Sequence, residues 1–171
     1  MRSVYPLMLA ALLGACQSTA DFQNEFGKPP DDAPKCAGRG MGRNSNDCKI
    51  MLRVIELDQK RCKVVFVDEG QSDVAFELGS RPLWILTQLE AQPAGYRFKE
   101  EGGIAIERGR DPMRMFGGGR VVSSPDGRLQ GFAIHNKNRR ADGFGEFPYV
   151  INVEHPGKGL SCPLDPWYRN Y

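Results

Sequence analysis

The sequence predicts an all-β domain, a sandwich of roughly seven to nine strands. From residue 48 onward, short stretches rich in Val, Ile and aromatic residues alternate with polar residues at a period of two, which is typical of half-buried strands. Clusters of Gly, Pro, Asp and Ser separate them, as turns do in sandwiches and barrels. A helical apolar period appears only in WILTQLE (84–90), where Ile85 and Leu89 could share a face.

Nine segments fit the strand pattern, and they define one domain over residues 36–171 without an internal repeat. They are KIMLRVIEL (49–57), CKVVFV (62–67), DVAFEL (73–78), LWILTQLE (83–90), YRFKE (96–100), GIAIE (103–107), RVVSS (120–124), LQGFAIHNK (129–137) and PYVINVEH (148–155). We predict that the glycine run FGGGR (116–120) is a flexible loop. It is not a phosphate-binding loop, because no Lys-Ser/Thr pair follows it and no helix is expected there.

Residues 1–15 have the three parts of a secretory signal peptide. A cation at Arg2 precedes an apolar run over residues 4–13, and the small residues Gly14 and Ala15 follow. The run is shorter than the about 20 residues that a spanning helix needs. Residues 16–35 contain three Pro and few apolar side chains, so we predict a disordered tether between this signal and the domain.

Leu13, Gly14, Ala15 and Cys16 resemble the lipobox of bacterial lipoproteins. The resemblance implies that the Cys16 thiol receives a diacylglyceryl group and that the new amino terminus is acylated. Two or more acyl chains anchor a protein stably to a membrane. Gln17, where inner-membrane lipoproteins of enteric bacteria carry Asp, implies the periplasmic face of the outer membrane. Cleavage as an ordinary signal peptide, near Ala15 or Ala20, remains an alternative.

The other four cysteines are expected to form two disulfides, because exported proteins fold in an oxidising compartment. We favour Cys36 with Cys48 across a short Gly-rich loop, and Cys62 with Cys162 across about 100 residues. Four thiolates could instead bind zinc. Intervals of 11, 13 and 99 residues between successive cysteines lack the close pairs of zinc ribbons.

The chain from Trp84 onward also resembles a loose group of exported bacterial domains with an immunoglobulin-like or cupredoxin-like sandwich. The residues that carry this resemblance are Trp84, Tyr96, Phe98, Ile104, Ile106, Tyr149, Val153 and the closing CPLDPWYRN. It implies an architecture and no activity. We expect Trp84 to fill the sandwich core, and Trp167, Tyr168 and Tyr171 to pack against the domain.

The formal net charge of +2 (23 Lys plus Arg, 21 Asp plus Glu) argues against a nucleic-acid partner. It conceals a basic second half, in which eight cations between residues 108 and 140 face only Asp111 and Asp126. Arg forks bind phosphates and carboxylates, so this half predicts a candidate anion-binding surface. The candidate anion-binding surface consists of Arg108, Arg110, Arg114, Arg120, Arg139 and Arg140. Arg128 and Lys137 are nearby in sequence.

Two chemical alternatives remain open. A copper-handling site would draw on Met41, Met113, Met115, His135 and His155, which carry ligand types suited to copper. A small hydrolase would use Ser123 or Ser124 with His135 and Asp126, although no G-x-S-x-G motif is present. We assign no catalytic residue and no cofactor, and we expect a non-enzymatic, membrane-anchored envelope lipoprotein that binds an envelope component or a protein partner.

Overall fold

The computed structural model describes residues 32–38, 41–79, 81–90, 94–111, 114–123, 130–138 and 145–170. These residues form eleven strands and two short 3₁₀ helices, at Glu69–Ser72 and Pro156–Lys158. The strands are β1 Cys48–Asp58, β2 Arg61–Phe66, β3 Asp73–Phe76, β4 Leu83–Leu89, β5 Arg97–Phe98, β6 Ile104–Ile106, β7 Phe116–Ser123, β8 Gln130–Asn136, β9 Gly145–His155, β10 Leu160–Leu164 and β11 Trp167–Asn170.

The strands make two mixed sheets that pack together, which confirms the predicted all-β sandwich. The first sheet has the order β2-β1-β4-β8-β7. The second has the order β10-β9-β11-β3, and β5 and β6 also pair with β9. Neighbours are antiparallel except for two parallel pairs, β1 with β4 and β11 with β3.

The core lies between the sheets because most inward positions of the strands are apolar. On β1 these positions are Ile50, Leu52 and Val54, all buried, and their spacing of two places them on one face. In the second sheet, Tyr149 and Tyr168 stack with their ring centres 3.7 Å apart, and Phe116 of the first sheet stacks on Tyr168 at 5.2 Å. Aromatic stacking therefore joins the two layers.

One prediction of secondary structure is wrong and one is confirmed. The FGGGR segment, predicted as a loop, is the first part of β7: Phe116, Gly117 and Arg120 pair with β8 on either side of Gly118 and Gly119. The LWILTQLE segment forms β4, as its strand pattern predicts, and not the helical turn that Ile85 and Leu89 could share.

Strands β10 and β11 were not among the predicted segments. They follow β9 in one unbroken register, from Leu160 opposite His155 to Asn170 opposite Gly145. Between them, the Pro166 carbonyl accepts a hydrogen bond from the Tyr149 N–H. Together they act as one long strand interrupted at residues 165–166.

Both preferred disulfides are present. Cys36 bonds to Cys48 with Cα atoms 4.8 Å apart, and Cys62 bonds to Cys162 with Cα atoms 5.5 Å apart. The second joins β2, at the edge of the first sheet, to β10 of the second. The zinc alternative is wrong, because all four thiols are consumed in disulfides.

Ordered pairing begins just before the predicted domain boundary. The Lys49 N–H donates to the Pro34 carbonyl, and the Cys36 N–H donates to the Lys49 carbonyl. The buried Gln71 side chain fixes the same region, because its amide donates to the Cys36 carbonyl and accepts from the Met51 N–H. The signal peptide and most of the tether, residues 1–31, lie outside the described residues.

Candidate functional site

A second apolar cluster lies on the outer face of the first sheet, across β4 and β8. It consists of Trp84, Leu86 and Ala133, with Val122 of β7 packed against it. Trp84 is only 4% exposed, as predicted for a buried Trp, but its position corrects the expectation that it fills the sandwich core. Both faces of β4 are buried, so apolar residues occur on both. The sequence pattern of β4 therefore does not indicate which face Trp84 occupies.

Arg120 extends over this cluster from β7. Its guanidinium carbon lies 5.2 Å from the centre of the Trp84 ring, within cation–π range. Ala133 is opposite Arg120 in register and Leu86 is opposite Ala133, so the Arg120 side chain crosses β8 above a methyl group. The small side chain at Ala133 is what allows this approach.

The Arg120 guanidinium is not fully satisfied by this contact. The residue is half-buried, and its Nη1 is buried without a hydrogen-bond partner among the residues that the structure describes. Burial lowers the pKa of Arg120, but an arginine stays protonated at neutral pH. A desolvated charge attracts an anion more strongly than an exposed charge does.

A β-bulge aims Arg120 at this face. Gly117 pairs with His135 and Arg120 pairs with Ala133, so Gly118 and Gly119 together lie opposite the single residue Ile134. Gly118 has a φ of +62°, as the first residue of a glycine-type bulge requires. The extra residue shifts the side-chain alternation by one, which places Arg120 outward, on the side of Ala133, instead of in the core.

His135 lies beside Trp84 on the same face. The two rings meet edge to face, with centres 5.1 Å apart. Burial lowers the pKa of His135 to about 4, against the opposing effect of Asp47 and with a smaller lowering by Lys137. The imidazole is therefore neutral at neutral pH. Asp47 Oδ1 also accepts a hydrogen bond from the backbone N–H of Trp84 at 2.8 Å.

The other arginines of the predicted anion-binding surface have a different environment. Arg108, Arg110 and Arg114 are exposed along the connection from β6 to β7. Asp111 holds the end of this connection, accepting the Met115 N–H at 2.6 Å and the Phe116 N–H at 2.8 Å. Arg139 and Arg140 lie outside the described residues.

A second polar group lies where β1, β5 and the Pro156–Lys158 helix meet. Glu56 accepts hydrogen bonds from Lys158 Nζ at 2.5 Å and from the Tyr96 hydroxyl at 3.1 Å. The Lys158 contact is the main reason why the pKa of Glu56 is lowered. His155 packs edge to face on Tyr96 and accepts the Lys158 backbone N–H. This group explains how three elements are joined, and sequence spacing gave no signal of it.

The structure keeps the hydrolase candidates apart. Ser123 is exposed at the end of β7 and pairs with Gln130, whereas His135 pairs with Gly117 near the other end. Five residues of extended chain separate Gln130 from His135, about 17 Å. Ser124 and Asp126 lie outside the described residues.

The copper candidates are likewise dispersed. Met115 is buried in the core cluster, Met41 is exposed, and His155 belongs to the second sheet rather than to the face that carries His135. Met113 lies outside the described residues. Within the described ranges, no group of three or more His, Cys, Asp or Glu side chains could hold a metal ion.

No protein-family model matches this chain, and no curated protein matches it. Among the residues that the structure describes, no helix is long and apolar enough to cross a membrane.

Proposed function

We propose that this chain is a lipid-anchored lipoprotein of the bacterial cell envelope, without enzymatic activity, whose β-sandwich binds an anionic envelope component or a protein partner. The observation that carries the anchor is Cys16, directly after an apolar run and two small residues. Its acyl chains would hold the domain at the membrane. Gln17 favours the periplasmic face of the outer membrane.

The disulfides support an envelope location. Cys36–Cys48 and Cys62–Cys162 consume all four cysteines of the domain. Disulfides persist in the bacterial periplasm and are rare in the reducing cytosol. Both bonds are compatible with export.

A binding role is supported by Arg120. Arg120 is half-buried on the outer face of the first sheet, and in the described part of the chain its Nη1 has no hydrogen-bond partner. Buried charges are ordinarily paired, so an anionic group on a partner would complete the site. The separation of Ser123 from His135 gives the hydrolase alternative no comparable support.

Metabolic labelling with palmitate tests the anchor. The wild-type chain should incorporate label and sediment with membranes, and Cys16→Ser should lose both properties. Ser18→Ala, in the same segment, is the matched control and should behave as wild type. Continued membrane labelling of Cys16→Ser would refute the anchor. Gln17→Asp should move the protein to the inner-membrane fraction if the enteric sorting rule applies.

Crosslinking in living cells, followed by mass spectrometry, would identify a protein partner. A photoreactive residue at position 114 lies exposed near the end of the connection from β6 to β7. A second at position 61, on exposed Arg61 of β2 at the opposite edge of the first sheet, is the control. Crosslinks specific to position 114 are expected. Equal crosslinking from both positions would indicate that this surface has no selective partner.

A further inference from the structure

We propose that Arg120, together with the backbone N–H groups of the Gly118–Gly119 bulge, binds a phosphate group. This inference gives the anionic component of the proposed function a chemical class and a location. Phosphate binding at these residues does not depend on the lipid anchor. Only the identification of the phosphate as part of a lipid head group rests on the proposed function.

The guanidinium is held in place before any ligand arrives. Its contact with Trp84 at 5.2 Å and the buried position of Nη1 restrict the side chain. Fixing a binding group in advance reduces the entropy lost on association. The half-buried residue still has an exposed part, through which the fork can reach an oxyanion.

The bulge supplies a second type of donor next to Arg120. Gly118 and Gly119 have no register partner on β8, and in the described part of the chain no strand pairs with the other edge of β7. The left-handed Gly118 interrupts the regular alternation of backbone N–H groups along β7, and successive N–H groups that face one side can bind an anion. Gly117, Gly118 and Gly119 add no side chains of their own at this position.

A phosphate group fits these donors better than a carboxylate does. A carboxylate has two oxygens, which a guanidinium fork can occupy completely. Inorganic phosphate or a phosphate monoester has further non-bridging oxygens that can accept the backbone N–H groups at the same time, whereas a phosphodiester, like a carboxylate, has two. The exposed Arg108, Arg110 and Arg114 on the connection into β7 add positive potential, which favours the more highly charged ion.

The site lies in the sheet that receives the chain from the proposed anchor. Lys49, hydrogen-bonded to Pro34 and Cys36, is in the same register row as Leu86, Ala133 and Arg120. Three strand spacings separate Lys49 from Arg120, about 15 Å. The tether of residues 16–31 can extend for about 50 Å, so a lipid head group near the anchor is within reach.

The first experiment uses inorganic phosphate as the probe. The full chain with Cys16→Ser, which carries no acyl groups, is titrated with phosphate at constant ionic strength and pH 7.5. Nitrogen-15 NMR follows the Trp84 indole and the amides of Gly118 and Gly119. We expect saturable shifts of all three signals, and at least tenfold weaker binding for Arg120→Gln. Arg53→Gln, which removes an ion-paired arginine from the same sheet, should bind as wild type.

One further variant and one further probe test whether the guanidinium fork and the phosphate chemistry are required. Arg120→Lys retains the charge over Trp84 but loses the fork, and should bind several-fold more weakly than wild type; it replaces Arg120→Gln if that variant does not fold. Sodium acetate should bind at least tenfold more weakly than phosphate. Absence of saturable shifts, equal binding by Arg120→Gln and wild type, or equal affinity for acetate would each overturn the phosphate site.

Vesicles distinguish the source of the phosphate. Sedimentation with vesicles that contain phosphatidic acid, whose phosphate is a monoester, compared with pure phosphatidylcholine, should depend on Arg120 and not on Arg53. Phosphate binding without such dependence would support the site and overturn its assignment to a lipid. Palmitate labelling at Cys16 is read separately, so failure of the anchor and failure of the phosphate site give different results.

Discussion

The guanidinium of Arg120 lies 5.2 Å from the centre of the Trp84 ring although the two residues are on strands that do not touch. Strand β8 runs between them, and it presents Ala133 at the crossing point. The contact therefore depends on three conditions: the register of β4 with β8, the bulge in β7, and a methyl side chain at position 133. Changing one condition at a time separates their contributions.

Ala133→Leu should displace Arg120 from Trp84. Ala133 is fully buried, and adding three carbons to a packed site costs about 1–3 kcal/mol. Urea unfolding measures the loss, and the Trp84 indole NMR signal reports the displaced guanidinium. Ala105→Leu, at a half-buried position of β6, should have a smaller effect on stability and leave the Trp84 signal in place. An unchanged Trp84 signal in Ala133→Leu would contradict the crossing.

Gly118→Ala should destabilise the fold by about 1–2 kcal/mol, because its φ of +62° is costly for a residue with a Cβ atom. Gly119→Ala should also destabilise the fold, for a different reason: its Cβ would lie 2.8 Å from the Phe132 ring. Thermal or urea unfolding gives both values. Gly157→Ala, which has neither a positive φ nor a contact closer than 3.4 Å, should stay within about 0.5 kcal/mol of wild type.

The two disulfides should contribute unequally. Cys62–Cys162 closes 100 residues and Cys36–Cys48 closes 12; the chain-entropy relation gives about 4.7 and about 3 kcal/mol, respectively. Replacing Cys62 and Cys162 by Ala should therefore lower the free energy of unfolding by about 2 kcal/mol more than replacing Cys36 and Cys48. Urea unfolding of the two double variants measures this difference. A larger loss from the Cys36–Cys48 pair would show that local packing outweighs loop length.

His135 should make stability depend on pH. Its folded-state pKa of about 4 lies below the ordinary value of 6.5, so the unfolded chain binds the extra proton and stability falls as pH decreases from about 6.5 toward 4. Between pH 7 and pH 4.5 the loss should be about 2–3 kcal/mol. Urea unfolding at both pH values should show that His135→Gln loses most of this dependence.

Three carboxylates lose their contributions to stability at a lower pH than His135 does. The pKa values of Glu56, Asp58 and Glu90 are lowered by their hydrogen bonds, mainly to Lys158, to the Lys60 N–H and to Arg53, respectively. Their contributions are present above their unfolded pKa values and are lost at lower pH, mostly below pH 4.5. A flat profile in wild type would contradict the burial of His135 as a neutral imidazole.

Sequence predicted the fold class and both disulfides because these depend on local alternation and on loop closure. It misplaced the glycine run because a bulged edge strand has no period-two signal across Gly117, Gly118 and Gly119. It also missed β10 and β11, since two short segments separated by Pro166 gain their stability from one shared register with β9. That register involves residues distant in sequence, which spacing cannot reveal.

The candidate site was predicted only in part. The local excess of positive charge predicts Arg120 as part of an anion-binding surface, together with arginines that are exposed on another segment. Its contact with Trp84 and the outward orientation of its side chain result from strand order and from one extra residue in β7. A period-two reading without the bulge would have placed Arg120 and Gly117 on opposite faces of the sheet.

The Cys62–Cys162 bond also determines what a protease could release. Nearly all of the strands lie between the two cysteines in sequence. A single peptide-bond cut between residues 62 and 162 therefore leaves two fragments that remain covalently joined, and the part downstream of the cut stays connected to the amino-terminal segment that precedes Cys62. A protein built this way keeps both fragments after one cut in this region.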